Sequence, residues 1–148
     1  MRTVILHGNR YDNATCYDPL LREIRMDVSP ADIALALQRN LYVAVAVSEE
    51  TDLELLYSRT QNGGGHSSWS RADDPAYTVL GGGTVPGMQG RQLGYMSTSV
   101  GDVIVVDGVA HACDRFGFVR LDGVSVDLEG MPVVNGGRLP DQMPSPAP

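Results

Sequence analysis

The stretch that decides the fold runs from residue 97 to residue 121 and reads STSVGDVIVVDGVAHACDRFGFVRL. Val103–Val106 is a run of β-branched residues, which favour extended structure. Asp107-Gly108 follows directly and suits a type I′ hairpin turn, because both central residues of that turn need a positive φ. Val109–Cys113 returns as a second strand, and Phe116–Leu121 adds a third. The sequence therefore predicts a C-terminal β-meander.

Two helices and two strands are predicted before the meander. Ser29-Pro30 begins the first helix, because serine caps free amides and proline suits the first helical position. Thr51 and Glu54 have the spacing of a capping box, which begins the second helix. Thr3–His7 and Leu41–Val47 are predicted strands, and the second is apolar on both faces, as central strands are. The predicted fold class is α+β, a small and mostly antiparallel sheet packed with two short helices.

Three other segments carry weaker patterns. The chain from Gly63 to Gly94 is rich in glycine, and we expect a long irregular loop there with a short strand at Tyr77–Leu80. Leu20–Met26 fits neither periodicity, so a strand and a single helical turn both remain open. Val124–Leu128 is predicted as one more short strand.

The chain length of 148 residues predicts a single domain, which we place at residues 1–130. Residues 131–148 hold five prolines, and we expect a tail that is partly disordered from about Asp141. No apolar run approaches the ~18 residues of a membrane span, and the first apolar run is too short for a signal peptide. We therefore expect a cytoplasmic protein that does not bind a membrane.

The charge balance narrows the class of partner. Eighteen acidic and 11 basic residues give a net charge of −7, and every basic residue is arginine. Such a charge opposes non-specific binding to nucleic acid, which needs a basic face to displace counterions, and it permits a basic protein partner. Cys16 and Cys113 lie far apart in the sequence, and we expect two reduced thiols.

Cysteine and histidine are the residues that could carry chemistry. His111 and Cys113 are two apart on a predicted strand and so share a face. With His66 or Cys16 they could build a metal site or a Cys-His catalytic pair. The chain has no Cys-x-x-Cys motif, and a half-buried thiol beside a histidine on a sheet face explains the pattern equally well. We predict no catalytic residue, no metal site and no cofactor.

The glycine runs do not match a phosphate-binding loop. Gly63-Gly64-Gly65 follows a predicted helix, whereas a phosphate cradle follows a strand, opens a helix and usually ends in lysine. Gly81-Gly82-Gly83 matches no dinucleotide fingerprint either. The expected roles of these glycines are a flexible loop and a helix cap.

A polar patch is predicted where the second helix ends. Ser99 and Asp102, in the turn that precedes the meander, are placed beside it, although both can also bond nearby backbone amides. A polar cluster with an exposed aromatic residue suits recognition of a partner, while the alternative is that Trp69 is a core plug. The predicted binding residues are Arg59, Gln61, Asn62, His66, Ser68, Trp69, Ser99 and Asp102.

The order of these motifs resembles a known family. The motifs are Asp52-Leu53-Glu54, residues 57–62 (YSRTQN), Ser68-Trp69-Ser70, residues 95–104 (YMSTSVGDVI) and residues 113–118 (CDRFGF). This region is similar to the YodL-like domains and related uncharacterised small domains of bacteria, plasmids and phages. Arg91 lies further from Ser97 than the corresponding residues do in the compact form of the motif. The resemblance implies an accessory protein of a mobile element or its host, and it carries no catalytic residues.

Three functions follow as hypotheses. The first is a non-enzymatic accessory or interaction protein of a phage- or plasmid-type element or its host, which binds a protein partner through the glycine-rich loop and the flanking helix. The second is a nucleic-acid-binding module, because residues 99–108 also resemble the barrel hairpin of PUA-like and ASCH-like domains; an arginine patch at Arg59, Arg71 and Arg91 would support it. The third is a small hydrolase or transferase that uses Cys113 or His66.

Overall fold

The computed structural model describes residues 2–63 and 68–141. In chain order the elements are β1 (Thr3–Gly8), α1 (Pro19–Met26), α2 (Pro30–Gln38), β2 (Tyr42–Ser48), α3 (Leu53–Arg59), β3 (Thr78–Val79), β4 (Thr84–Pro86), β5 (Gln92–Gly94), β6 (Val103–Val106), β7 (Val109–Asp114) and β8 (Gly117–Arg120). Six strands form one antiparallel sheet in the order β3-β2-β1-β6-β7-β8, and β4 pairs with β5 separately. The α+β fold class is confirmed.

The meander forms as the sequence predicts. Strands β6, β7 and β8 are consecutive neighbours, with Val106 opposite Val109 across the first turn. Asp107 and Gly108 have φ angles of 48° and 82°, the two positive values that a type I′ turn requires. Strand β1 lies between β6 and β2, so the N-terminal strand joins the meander to the rest of the sheet.

The sheet has an apolar core on each face. Helices α1 and α2 cover one face through buried residues such as Leu21 and Ile33. The other face packs against Leu56 of α3, against Trp69 of the glycine-rich segment and against Tyr95, which directly follows that segment. Strand β2 is buried along its whole length, as predicted for an apolar strand with both faces covered.

The helices differ from the prediction in number and in capping. Residues 19–26 form α1, a third helix, because Asp18 caps it by accepting from the Leu20 amide and Pro19 occupies its first position. The predicted first helix is α2, capped by Ser29 as expected. Helix α3 is capped by Asp52, which accepts from two backbone amides, so the predicted capping box starting at Thr51 is wrong.

The glycine-rich segment is more ordered than predicted. Besides β3, it contains the β4–β5 hairpin and two 3-10 turns, at Trp69–Arg71 and Met88–Gly90. Gly81 and Gly83 have φ angles of 70° and 79°, and a Cβ at either would collide with a backbone carbonyl. These two glycines therefore let the chain turn tightly against the core. Residues 64–67, which include the predicted site residue His66, lie outside the described residues.

The packed part of the chain continues beyond residue 130, the predicted end of the domain. Met131, Val133, Val134 and Leu139 are all buried, and the Ala44 amide of β2 donates to the Pro132 carbonyl. This segment therefore covers part of the sheet. Residues 124–128 do not form the predicted strand; their apolar side chains are half-buried against the α1–α2 core. In the described ranges no helix is long and apolar enough to cross a membrane.

We expect Leu139→Ala to lower the free energy of unfolding by about 2–5 kcal/mol, because it leaves a cavity in a buried site. The same truncation at the exposed Leu35 should cost less than about 1 kcal/mol. Urea denaturation followed by circular dichroism measures both. A Leu139→Ala variant as stable as Leu35→Ala would show that residues 131–139 do not belong to the core.

Candidate functional site

A buried carboxylate lies at the point where the chain enters the meander. Asp102 directly precedes β6 and its side chain is 2% exposed. Both of its oxygens accept from the Arg10 guanidinium at 2.9 Å, and they also accept from the backbone amides of Gly8 and Ser99. Such a paired, bidentate geometry is the strongest form of carboxylate–arginine contact. The carboxylate thus ties β1, the loop after it and the turn before β6 together.

The pKa of Asp102 lies below its usual value. Burial alone would raise this pKa, but the charge of Arg10, that of His7 when protonated, and the hydrogen bonds from Arg10 and the Ser99 amide outweigh it. Arg10 also donates to the carbonyls of Gly8 and Ser97. Both carboxylate oxygens of Asp102 and both terminal nitrogens of Arg10 therefore have hydrogen-bond partners, which a buried ion pair needs in order to be tolerated.

His7 continues the polar cluster and is completely buried. Its Nδ1 lies 2.8 Å from the Tyr11 hydroxyl and its Nε2 lies 2.9 Å from Thr98 Oγ1. Tyr11 already accepts from the Met96 amide, so its own proton is available for Nδ1. That places the ring proton on Nε2, which donates to Thr98 and points toward Asp102, 3.7 Å away.

The hydroxyl chain from His7 ends on the backbone of α3. Thr98 lies 2.8 Å from Thr60 Oγ1, and Thr60 donates to the Leu56 carbonyl at 2.8 Å. Burial, with a further contribution from the charge of Arg10, lowers the pKa of His7 to about 4, so the ring is neutral near pH 7.

Two of the predicted binding residues hold the chain before the meander in place. Gln61 donates to the Thr98 carbonyl at 2.8 Å, and Asn62 donates to the Tyr95 carbonyl at 3.0 Å. The side-chain oxygen of Asn62 accepts from the backbone amide of Trp69, and the backbone amide of Asn62 donates to Ser97 Oγ. Their side-chain amides are therefore used within the fold.

Trp69 is buried, so of the two predicted alternatives the core plug is confirmed and the exposed aromatic residue is wrong. Its side chain is an interior plug that donates from Nε1 to the Met96 carbonyl at 2.7 Å. The indole packs edge-on against His7, Tyr77 and Tyr95, with ring centroids 5.5–5.9 Å apart. A large apolar ring with a satisfied N–H gains more from burial than from exposure, which explains its position.

The other predicted residues are divided between the surface and the interior. Arg59 is half exposed and pairs with Asp74 at 3.0 Å. Ser68 Oγ lies 3.2 Å from Ser70 Oγ, inside the base of the glycine-rich segment. Ser99 and Asp102 belong to the buried cluster described above. The structure thus brings Gln61, Asn62, Trp69, Ser99 and Asp102 to one region, where their polar groups bond within the fold although Asn62 itself is exposed.

Sequence reasoning missed the basic half of the cluster. His7, Arg10 and Tyr11 fall in and directly after the first strand, where the turn-forming residues give no sign of burial. Only the antiparallel pairing of β1 with β6 brings Arg10 to Asp102, 92 residues away. No local spacing in the sequence contains that information.

The cysteines show no sign of activation. Cys113 is buried in the face of the sheet that packs on α3, and burial raises the pKa of its thiol. A raised pKa keeps the thiol protonated, and the thiolate is the nucleophile and the metal ligand. Cys16 is half-buried and unpaired. Among the described residues, no three His, Cys, Asp or Glu side chains are grouped as a metal site would require.

The β4–β5 hairpin exposes apolar side chains that are not among the predicted binding residues. Met88 is 84% exposed at the turn and Leu93 is 49% exposed on β5. Arg91 lies between them and is also exposed. Unlike the buried cluster, this hairpin presents its side chains outward, so it has the character of a contact surface.

Comparison with known proteins gives no relative. No protein-family model matches the chain, and no curated protein or solved structure is significantly similar to it.

We expect Arg10 and Asp102 to be strongly coupled. Arg10→Met and Asp102→Asn should each cost about 3–5 kcal/mol, because each leaves a buried group without its charged partner. The double variant should cost clearly less than the sum of the two single variants, since neither charge is then stranded. A double-mutant cycle in urea measures the difference.

The exposed ion pair between Arg2 and Asp107 supplies the matched control for this cycle. Their atoms are 3.0 Å apart and both side chains are half exposed, so the coupling should stay below about 1 kcal/mol. Equal coupling in the two cycles would mean that burial does not strengthen the Arg10–Asp102 pair.

We expect stability to fall on acidification between about pH 6.5 and 4. In this window the unfolded chain protonates His7 while the folded chain does not, so acid favours unfolding. The loss attributable to His7 between pH 7 and pH 5 should be about 1–2 kcal/mol. Asp102, whose pKa is lowered, contributes stability that is lost only below about pH 4. Urea midpoints across this range should show a shallower slope in His7→Gln; an unchanged slope would contradict the assignment.

Proposed function

We propose that the chain is a non-enzymatic interaction domain that binds a protein partner through its glycine-rich segment, residues 63–94. The observation that carries the proposal is the β4–β5 hairpin, which forms a two-stranded sheet apart from the main sheet and exposes Met88 and Leu93. Exposed apolar side chains carried on one hairpin suit contact with a partner. The flanking helix of the prediction is α3, and its outer face contributes to the proposed binding surface.

The base of the hairpin is held rigidly, which favours binding. Ser70 donates to the Gly83 carbonyl at 2.6 Å and accepts from the Tyr95 amide at 2.8 Å. Asn135 donates to the carbonyls of Gly81 and Thr84. Because these contacts fix both ends of the hairpin in the free protein, less conformational entropy is lost when a partner binds.

The hairpin tip also has the chemistry of a protein contact. Residues 84–94 (TVPGMQGRQLG) contain no carboxylate, and Arg91 adds one positive charge between the two apolar side chains. Methionine is flexible and adapts to irregular apolar surfaces, and arginine is enriched in interfaces. The predicted residues Gln61, Asn62 and Trp69 donate to the carbonyls of Thr98, Tyr95 and Met96. They therefore hold in place the chain that directly follows the hairpin.

The two other hypotheses have less support. Of the predicted arginine patch, Arg59 is paired with Asp74, and the net charge of −7 opposes nucleic-acid binding. Catalysis by Cys113 would need a thiolate, which its burial disfavours. A role as an accessory protein of a phage- or plasmid-type element, or of its host, is part of the proposal and rests on the family resemblance alone.

The test is a pull-down from a lysate of the source cells with wild type and with Met88→Ser/Leu93→Ser. We expect to recover one protein partner with or without nuclease treatment. Its recovery should fall at least about tenfold in the double variant, because two apolar side chains that the partner would bury are removed. Recovery is measured by quantitative mass spectrometry.

Leu35→Ser is the matched control, because Leu35 is 45% exposed on α2, and α2 packs on the opposite face of the sheet from the glycine-rich segment. It should retain the partner at the wild-type level. Partners that disappear with nuclease would favour the nucleic-acid-binding hypothesis. Equal recovery with Met88→Ser/Leu93→Ser would exclude the hairpin as the binding surface.

A further inference from the structure

A pocket of about 460 Å³ borders the buried pair of Arg10 and Asp102. It is enclosed by α1, by the chain between β1 and α1, and by the turn at Val100–Asp102. Leu21 and Ile24, both buried, line its apolar wall. Its volume lies within the range of about 300–1,000 Å³ typical of small-molecule sites.

Two arginines at the pocket have side chains without a partner among the residues that the structure describes. Arg22 and Arg25 line it, the side chains of both are exposed, and neither guanidinium makes a hydrogen bond or ion pair with any residue in the described ranges. They are three residues apart on α1, so their guanidinium groups lie on the same side of the helix. Like charges placed together without a counter-ion repel, and a bound anion would relieve that repulsion.

The acidic residues at the pocket are already neutralised. Asp18 caps α1 and pairs with Arg39 at 3.2 Å, and Asp102 is held by Arg10. Consequently the uncompensated charge at the pocket is positive, although the whole chain carries a net charge of −7. Charge complementarity therefore points to an anionic ligand, and the apolar wall points to one with an organic body.

We propose that this pocket binds a small organic anion, whose phosphate or carboxylate group is held by Arg22 and Arg25. The planar guanidinium offers paired N–H donors that match the oxygens of either group. The apolar part of the ligand packs against Leu21 and Ile24, and Tyr17, which is 84% exposed, stands at the mouth. This site is separate from the β4–β5 hairpin and does not depend on a protein partner.

The site is tested by ¹H–¹⁵N NMR titration at constant ionic strength with three probes: inorganic phosphate, phenyl phosphate and benzoate. We expect saturable shifts of the amides of α1 and of residues 100–102 with at least one anion. Phenyl phosphate should bind more tightly than inorganic phosphate, because the ring adds apolar contact. A response to benzoate alone would assign the ligand as a carboxylate, and a response to the phosphates alone would assign it as a phosphate.

The variant is Arg22→Gln/Arg25→Gln, and the control is Arg115→Gln/Arg120→Gln, which removes the same charge from two exposed arginines in the β7–β8 hairpin, outside both proposed sites. Affinity should fall at least about tenfold in the first and stay unchanged in the second, since charge-assisted hydrogen bonds are lost only in the first. A wild-type amide spectrum of the variant outside α1 shows that it is folded. No saturable shift with any probe, or equal loss in both variants, would overturn the proposal.

Cys16 gives an independent measurement, because it lines the same pocket and is accessible, whereas Cys113 is buried. Saturating anion should slow alkylation of Cys16 by iodoacetamide in wild type and not in Arg22→Gln/Arg25→Gln. An unchanged rate in wild type at saturation would contradict binding in this pocket.

Discussion

The buried pair between Arg10 and Asp102 is the contact on which the rest of the structure depends. It joins the end of β1 to the turn before β6, at the one place where the two halves of the sheet meet. A carboxylate in this position would be strongly unfavourable alone, and each of its oxygens is matched by an arginine donor and a backbone amide. Specific pairing, rather than apolar area, thus sets the geometry here.

Around this pair lies a polar layer that contacts both apolar cores. His7 and Thr98 extend it toward α3, and the Tyr42 hydroxyl donates to the Gly101 carbonyl on the side of α1. Hydrogen bonds are directional, so this layer restricts how the helices and the glycine-rich segment can sit on the sheet. Arg10 and Asp102 themselves line the pocket, and the chain that follows the hairpin joins the layer through the Met96 amide, which donates to Tyr11. Two surfaces with different chemistry therefore share one rigid support.

The sequence predicted what local patterns determine. The meander, its Asp107-Gly108 turn and the buried strand β2 follow from residue type and periodicity alone, and all three form. Helix α1 was ambiguous because its apolar residues fit neither periodicity, and the cap from Asp18 favours the helix. The surroundings of the predicted binding residues depend on tertiary contacts, which bury Trp69 and engage the side chain of Asn62. The partnership of Arg10 with Asp102 arises from strand pairing, which no local pattern encodes.

The position of β1 in the sheet also governs when the fold can be completed. Thr3–Gly8 pairs on one side with β2 and on the other with β6, which is translated about a hundred residues later. During synthesis β1 therefore has an unpaired edge, and Asp102 is not available to neutralise Arg10, until the chain has passed residue 106 and that stretch has left the ribosome. Contacts of such long sequence separation close slowly, because the intervening chain must be ordered first. The sheet is thus organised around β1 but cannot close until β6 has been synthesised, so its two halves join late in the folding of this domain.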